Sequence, residues 1–161
     1  MRLVAQPKYM LLIGAWIITT SLLGGLATEI GPWYYSLKQP AWKPPDWAFG
    51  VVWTTIFALS GLAWLIAIRY STSQAQKNKL TLLFVFNSFL NVLWSVFFFR
   101  MHRPDWSFIE AFFLWGSVFS IIYVMWPIRK SAAYLMAPYL IWVTIAMRLN
   151  WETLVLNPGI Y

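Results

Sequence analysis

The chain has 161 residues, of which 60% are hydrophobic and only 11% are charged, a composition that excludes a water-soluble monomer. It has no cysteine and a single histidine, which excludes disulfides, thiolate nucleophiles and multi-histidine metal centres, so we expect neither a metal site nor a resident cofactor. The net charge of +7 does not indicate nucleic-acid binding, because the basic residues lie in short connections between apolar segments, where they set membrane orientation.

The apolar segments predict five transmembrane helices, at about 9–28, 47–68, 80–99, 106–128 and 131–150. At about 1.5 Å per residue, each can cross roughly 30 Å of hydrocarbon. The predicted fold class is therefore an all-α integral membrane bundle, and we expect one transmembrane domain over residues 1–161. A cleaved signal peptide is the alternative for the first segment, but its apolar run exceeds the usual length of about 7 to 15 residues.

Five helices place the N-terminus and the second and fourth connections on one side of the membrane, named side A here, and the other connections on side B. The basic residues of side A are Arg2, Lys8, Arg69, Lys77, Lys79, Arg129 and Lys130. Those of side B are Lys38, Lys43, Arg100, Arg103 and Arg148. The positive-inside rule counts Lys and Arg, so this distribution favours a cytoplasmic N-terminus.

The longest connection, Glu29–Asp46, lies on side B and is rich in proline and aromatic residues. These residues are Pro32, Trp33, Tyr34, Tyr35, Pro40, Trp42, Pro44 and Pro45. Prolines restrict the backbone and aromatic residues favour packing, so we expect a structured lid rather than a disordered linker.

Three residues of different predicted helices lie at one depth. Trp53, Asn91 and Trp142 each fall roughly 8 to 12 Å below side B at about 1.5 Å per residue. With the lid above them, they predict an apolar cavity that opens toward side B and suits a flat hydrophobic ligand. Structural alternatives stay open, because the stripe of Phe49, Trp53 and Phe57 can face lipid and Asn91 can make an interhelical hydrogen bond.

Four further residues have open roles. Glu110 is the only acid within a predicted span, which makes it a possible functional acid. Alternatively, it snorkels to the interface or pairs with Arg148. His102 lies near the predicted cavity mouth, where we favour a solvated interfacial histidine over a heme ligand. Ser21 and Gly25 have the spacing of a small-residue packing or dimerisation face.

Five segments resemble the signatures of the TspO/MBR family, the translocator proteins also known as peripheral benzodiazepine receptors. They are GPWY at 31–34, LKQPAWKPP at 37–45, FGVVWT at 49–54, NSFLNVLW at 87–94 and APYLIW at 137–142. The combination of Pro-x-Trp-x-Pro-Pro with a later Pro-Tyr-x-x-Trp is specific, and the match extends over nearly the whole chain.

The resemblance implies a five-helix bundle, commonly a homodimer, that binds tetrapyrroles such as protoporphyrin IX and heme. Some members of the family also bind sterols or isoquinoline carboxamide drugs. The ligand contacts that the resemblance implies are Tyr34, Trp42, Trp53, Phe57, Asn91, Trp94, Trp142 and Ala146. Because no basic residue follows Leu149–Trp151, the sterol-recognition pattern of animal members is not matched, and we favour a tetrapyrrole ligand and a bacterial member.

Three functions follow from this resemblance and the residues. The first is tetrapyrrole binding for translocation, sequestration or sensing. The second is light- and oxygen-dependent porphyrin degradation, for which Trp53 and Trp142 are the candidate catalytic residues, since the sequence has no conventional catalytic apparatus. The third is a regulatory scaffold that acts through a protein partner.

Overall fold

The computed structural model describes residues 7–160, and all regular secondary structure within them is helical. The helices are α1 (Pro7–Ala27), α2 (Pro32–Ser36), α3 (Asp46–Tyr70), α4 (Gln74–Ser95), α5 (Pro104–Met125), α6 (Lys130–Leu135) and α7 (Ala137–Leu156). A π-helical turn, Val96–Arg100, continues α4. Five helical spans of this part of the chain are long and apolar enough to cross a membrane. This confirms the predicted fold class and a multi-pass membrane protein; Arg2 of side A lies outside the described residues.

Prolines and caps determine where several helices begin. Pro32 and Pro104 occupy the first positions of α2 and α5. The N–H group at a first helical position has no partner within the helix, so a proline costs no hydrogen bond there. The hydroxyl of Ser73 accepts a hydrogen bond from the Gln76 N–H at 3.2 Å and caps α4. This cap explains why α4 begins at Gln74 and includes charged residues ahead of its apolar part.

Two backbone irregularities lie in the last turns of α4 and between α6 and α7. In the first, the Met101 N–H donates to the Val96 carbonyl, five residues earlier, at 2.9 Å, which is the π-helical pattern. In the second, Met136 separates α6 from α7, because Pro138 has no N–H and its ring crowds the preceding turn. The fifth span is therefore two helices rather than one.

The side A half of the bundle is a filled aromatic core. The rings of Trp64 and Phe84 stack with centroids 4.5 Å apart, and both are fully buried. Trp16 packs edge-on against both rings, and its indole N–H donates to the Phe84 carbonyl at 3.0 Å. This core joins α1, α3 and α4 tightly on side A, so any internal space lies in the side B half.

The connection between α1 and α3 is ordered and fastened to the end of α7. The side chain of Asn157 accepts from the Lys38 N–H at 2.8 Å and donates to the Lys38 carbonyl at 2.9 Å. Earlier in the same connection, Trp33 stacks on His102 with ring centroids 4.1 Å apart. These contacts confirm the predicted structured loop.

Candidate ligand cavity

A cavity of about 480 Å³ lies in the side B half, beneath the loop. Its walls come from α1, the loop, α3, α4 with its π-helical turn, and α7. The volume is within the range of small-molecule sites, which runs from about 300 to 1,000 Å³. The predicted depth and side therefore agree with the position of the space that the structure contains.

Stacked aromatic pairs line the cavity from two different helices. On α3, Trp53 and Phe57 stack with centroids 5.5 Å apart and an interplanar angle of 27°. On α4 and its π-helical turn, Trp94 and Phe98 stack with centroids 5.2 Å apart and an interplanar angle of 17°. All four residues line the cavity. Such flat, polarisable walls fit an aromatic or conjugated ligand.

The loop end of the cavity is polar. Lys43 forms an ion pair with Asp46, and the Tyr34 hydroxyl donates to the same carboxylate at 3.1 Å. Burial lowers the pKa of Lys43, but its hydrogen bonds with Asp46 and Tyr34 outweigh this and raise the pKa above its ordinary value. For Tyr34, burial has the opposite effect and raises the pKa, because it disfavours the charged phenolate. The cavity therefore has a charged ammonium and a neutral phenol at the edge nearest side B.

A chain of hydrogen bonds extends from the cavity wall into the bundle. The Asn91 side-chain amide donates to the Tyr139 hydroxyl at 3.1 Å, and that hydroxyl donates to the side-chain Oδ1 of Asn87 at 3.1 Å. Asn87 in turn donates to the Ser117 hydroxyl at 2.8 Å. Asn91 thus makes the interhelical bond and also lines the cavity, where its Oδ1 accepts no hydrogen bond from the described residues.

The structure brings most of the predicted contact residues together. Those that line the cavity are Tyr34, Trp53, Phe57, Asn91, Trp94 and Ala146. Trp142 does not line it: the side chain is only 8% exposed and packs edge-on against Phe49, which does line it. Trp42 also lies outside the lining, because its indole N–H donates to Glu152 at 2.7 Å on the exposed surface.

Two residues singled out in the sequence lie away from the cavity. Glu110 is absent from its lining. Of the alternatives for Glu110, the pairing with Arg148 is not formed, because Arg148 pairs with Glu152 one turn further along α7 at 2.6 Å. His102 stacks on Trp33 and is likewise not part of the lining. Within residues 7–160, no group of three or more acidic or histidine side chains is placed to hold a metal ion.

The contribution of α1 to the cavity was not predicted. Ser21, Gly24 and Gly25 line it, whereas the sequence suggested only helix packing or dimerisation for this small-residue pattern. Small side chains at this level leave room that larger ones would fill. Their depth near the side B end of α1 was the available signal, since it matches the depth of Trp53 and Asn91.

The five spans and the cavity define a multi-pass membrane protein with an internal aromatic site. Residues 10–156 match the TspO/MBR family, and the chain belongs to that family. It is 37% identical over 133 residues to protein CrtK of Rhodobacter capsulatus, covering 80% of this chain and 81% of the relative. It is 33% identical over 154 residues to tryptophan-rich protein TspO of Chlorobaculum tepidum, covering 88% of this chain and 98% of the relative. A tryptophan-rich sensory protein of Cereibacter sphaeroides is 33% identical over 125 residues, covering 78% of this chain and 77% of the relative.

Proposed function

We propose that the cavity binds a tetrapyrrole, protoporphyrin IX or heme, for translocation, sequestration or sensing. The observation that carries this proposal is the arrangement of two stacked aromatic pairs, Trp53 with Phe57 and Trp94 with Phe98, around one space of about 480 Å³. A conjugated macrocycle offers two large flat faces, which is the shape that such walls accommodate with the greatest contact area.

The polar groups of the cavity support an amphiphilic ligand. Lys43, which is ion-paired with Asp46, lies at the edge nearest side B. There its ammonium group has a further N–H for a carboxylate of a tetrapyrrole whose ring stays among the aromatic residues. Asn91 offers an amide oxygen to a ligand donor at greater depth. Family membership supports the same proposal, and the sensory name belongs to a relative rather than to this chain.

A tryptophan-quenching titration tests the proposal. Protoporphyrin IX is added in the dark to the protein in lipid nanodiscs, and we expect saturable quenching. Replacing one stacking wall, Trp94→Leu, should weaken binding about two- to ten-fold, because an aromatic pair contributes about 0.5 to 1.5 kcal/mol beyond its buried area. The matched control is Trp126→Leu, since Trp126 is exposed near side A, away from the cavity.

Two outcomes of that titration would overturn the proposal. One is the absence of saturable quenching, which would favour the scaffold function through a protein partner. The other is an affinity that neither the Trp94 nor the Trp126 substitution changes, which would indicate partitioning of the porphyrin into the lipid rather than binding in the cavity.

Illumination of the same samples tests porphyrin degradation, the second candidate function. The specific observation in its favour is that Trp53 lines the cavity. Trp142 is separated from that space by Phe49. If degradation occurs, Trp53→Phe should slow the appearance of the product spectrum more than Trp142→Phe does. Disappearance of porphyrin at the rate seen without protein would exclude this function.

Homodimer formation and a cytoplasmic N-terminus stay predictions. We infer the dimer from the family resemblance, and light scattering of the protein in nanodiscs or detergent measures its mass. The orientation rests on the excess of Lys and Arg on side A. Reporter fusions at the two termini measure it, and activity of the periplasmic reporter at the N-terminus would contradict it.

A further inference from the structure

Four buried polar side chains form a hydrogen-bonded chain that leads from the cavity wall to α5. They are Asn91, Tyr139, Asn87 and Ser117, and none of them is more than 7% exposed. Only Asn91 lines the cavity. The other three can therefore act on a ligand only through the orientation that they give to Asn91.

The direction of these hydrogen bonds is set at the α5 end. The backbone carbonyl of Leu114 can only accept, and the Ser117 hydroxyl donates its single proton to it at 2.7 Å. Ser117 must then accept from the side-chain NH₂ group of Asn87, at 2.8 Å. This orientation turns the Asn87 Oδ1 toward Tyr139, whose hydroxyl donates to it at 3.1 Å.

The same direction continues to the cavity wall. Because the Tyr139 proton is committed to Asn87, the Tyr139 oxygen accepts from the Asn91 Nδ2 at 3.1 Å. The Asn91 Oδ1 has no donor among the described residues, and the surrounding side chains do not seal it off. A Cβ atom added to Gly24 of α1 would lie 3.9 Å from this oxygen, and Gly24 also lines the cavity. The cavity is therefore presented with a hydrogen-bond acceptor.

The reversed direction has one hydrogen bond fewer. It would turn the Asn91 NH₂ group toward the cavity, but the Ser117 hydroxyl would then have to donate to Asn87 and give up the Leu114 carbonyl. One hydrogen bond favours the observed direction about two- to ten-fold. A ligand can reverse the chain only at that cost.

We propose that Ser117, Asn87 and Tyr139 are positioning residues that hold Asn91 as an acceptor, so that the cavity selects flat aromatic ligands with an N–H or O–H donor. A donor meets the Oδ1 as it stands. A carbonyl in the same place either leaves the Oδ1 unpaired or reverses the chain, and both cost a hydrogen bond. This selectivity rests on the cavity of the proposed function and adds the chemistry that a ligand must carry near Asn91.

Two three-ring probes of nearly the same outline test the selectivity. Carbazole has an N–H where 9-fluorenone has a carbonyl group. Binding of each radiolabelled probe to the protein in phosphatidylcholine nanodiscs is measured, and the uptake by empty nanodiscs is subtracted. We expect carbazole to bind about two- to ten-fold more tightly, relative to its concentration in the lipid. Equal affinities, tighter binding of 9-fluorenone, or no specific binding of either probe would overturn the proposal.

Substitution of Ser117 tests the positioning role at a distance from the ligand. Ser117→Ala removes the group that sets the direction, so the ratio of the two affinities should fall to about one. The matched control is Ser120→Ala, because Ser120 bonds only to the Gly116 carbonyl of its own helix, at 2.8 Å, and lies outside both the chain and the cavity lining. General loosening of the bundle would weaken both probes together and leave their ratio unchanged. A wild-type ratio in Ser117→Ala would therefore overturn the positioning role.

The selectivity and the tetrapyrrole proposal fail separately, because the probe measurement contains no porphyrin. Saturable quenching by protoporphyrin IX with a probe ratio of one would leave the proposed function in place and overturn the selectivity. A preference for carbazole that Ser117→Ala abolishes, without quenching by the porphyrin, would support the selectivity and overturn the proposed function.

Discussion

Removing the hydroxyl of Tyr139 should destabilise the bundle, because this group connects Asn91 to Asn87. It accepts from Asn91 and donates to Asn87, in each case at 3.1 Å, and Tyr139 is fully buried. Tyr139→Phe leaves both amides with an unmade hydrogen bond. With an average of about 0.6 kcal/mol for each hydrogen bond between membrane helices, two lost bonds lower the free energy of unfolding by about 1 to 2 kcal/mol.

Reversible unfolding in mixed micelles measures this change. The matched control is Tyr123→Phe, since Tyr123 is 72% exposed and its loss of a hydroxyl leaves no buried partner. Adding Asn87→Leu to Tyr139→Phe should restore part of the stability. The double variant removes the Asn87 side-chain oxygen that Tyr139→Phe leaves without a donor. Ser117 loses its bond from Asn87 but keeps its own bond to the Leu114 carbonyl. Equal stabilities of the Tyr139 and Tyr123 variants would refute the reasoning.

Two further predictions concern the loop and the buried acid. Asn157→Ala removes both hydrogen bonds to the Lys38 backbone, so trypsin should cleave after Lys38 several-fold faster, while an unchanged digestion rate would show that the loop is held elsewhere. Glu110→Met replaces an unpartnered buried acid by an apolar side chain of similar size, so the free energy of unfolding should rise by about 1 to 3 kcal/mol. The same micelle assay measures it, and a decrease would indicate that Glu110 has a stabilising partner.

The depth of the cavity could be predicted because a helix has a fixed rise. Counting residues from side B placed Trp53 and Asn91 at one level, and both line the space. The same count placed Trp142 there, but depth does not reveal which neighbouring side chain lies between a residue and the cavity. Phe49 occupies that position, and only the packing of α3 against α7 determines it.

The partner of Arg148 depended on competition between a local and a distant acid. Glu152 is four residues away on α7, a spacing that brings two side chains together on one helix face. Glu110 reaches Arg148 only if α5 turns that side chain toward α7. Instead both carboxyl oxygens of Glu110 are buried without a hydrogen-bond partner among the described residues, and the rotation of a nearly uniformly apolar helix about its axis cannot be obtained from its sequence.

The side B end of α4 has two faces with different linings, and the helical repeat explains how. Asn91, Trp94 and Phe98 follow one another at spacings of three and four and line the cavity, whereas Leu93 and Phe97, each one position earlier, line an outer groove between α4 and α5. Adjacent residues on a helix point about 100° apart, so two faces with different chemistry fit on one element. The π-helical turn that begins at Val96 widens the helix just where both faces carry phenylalanine. A single helix thus presents an amide and stacked rings to the interior and an apolar wall to the lipid.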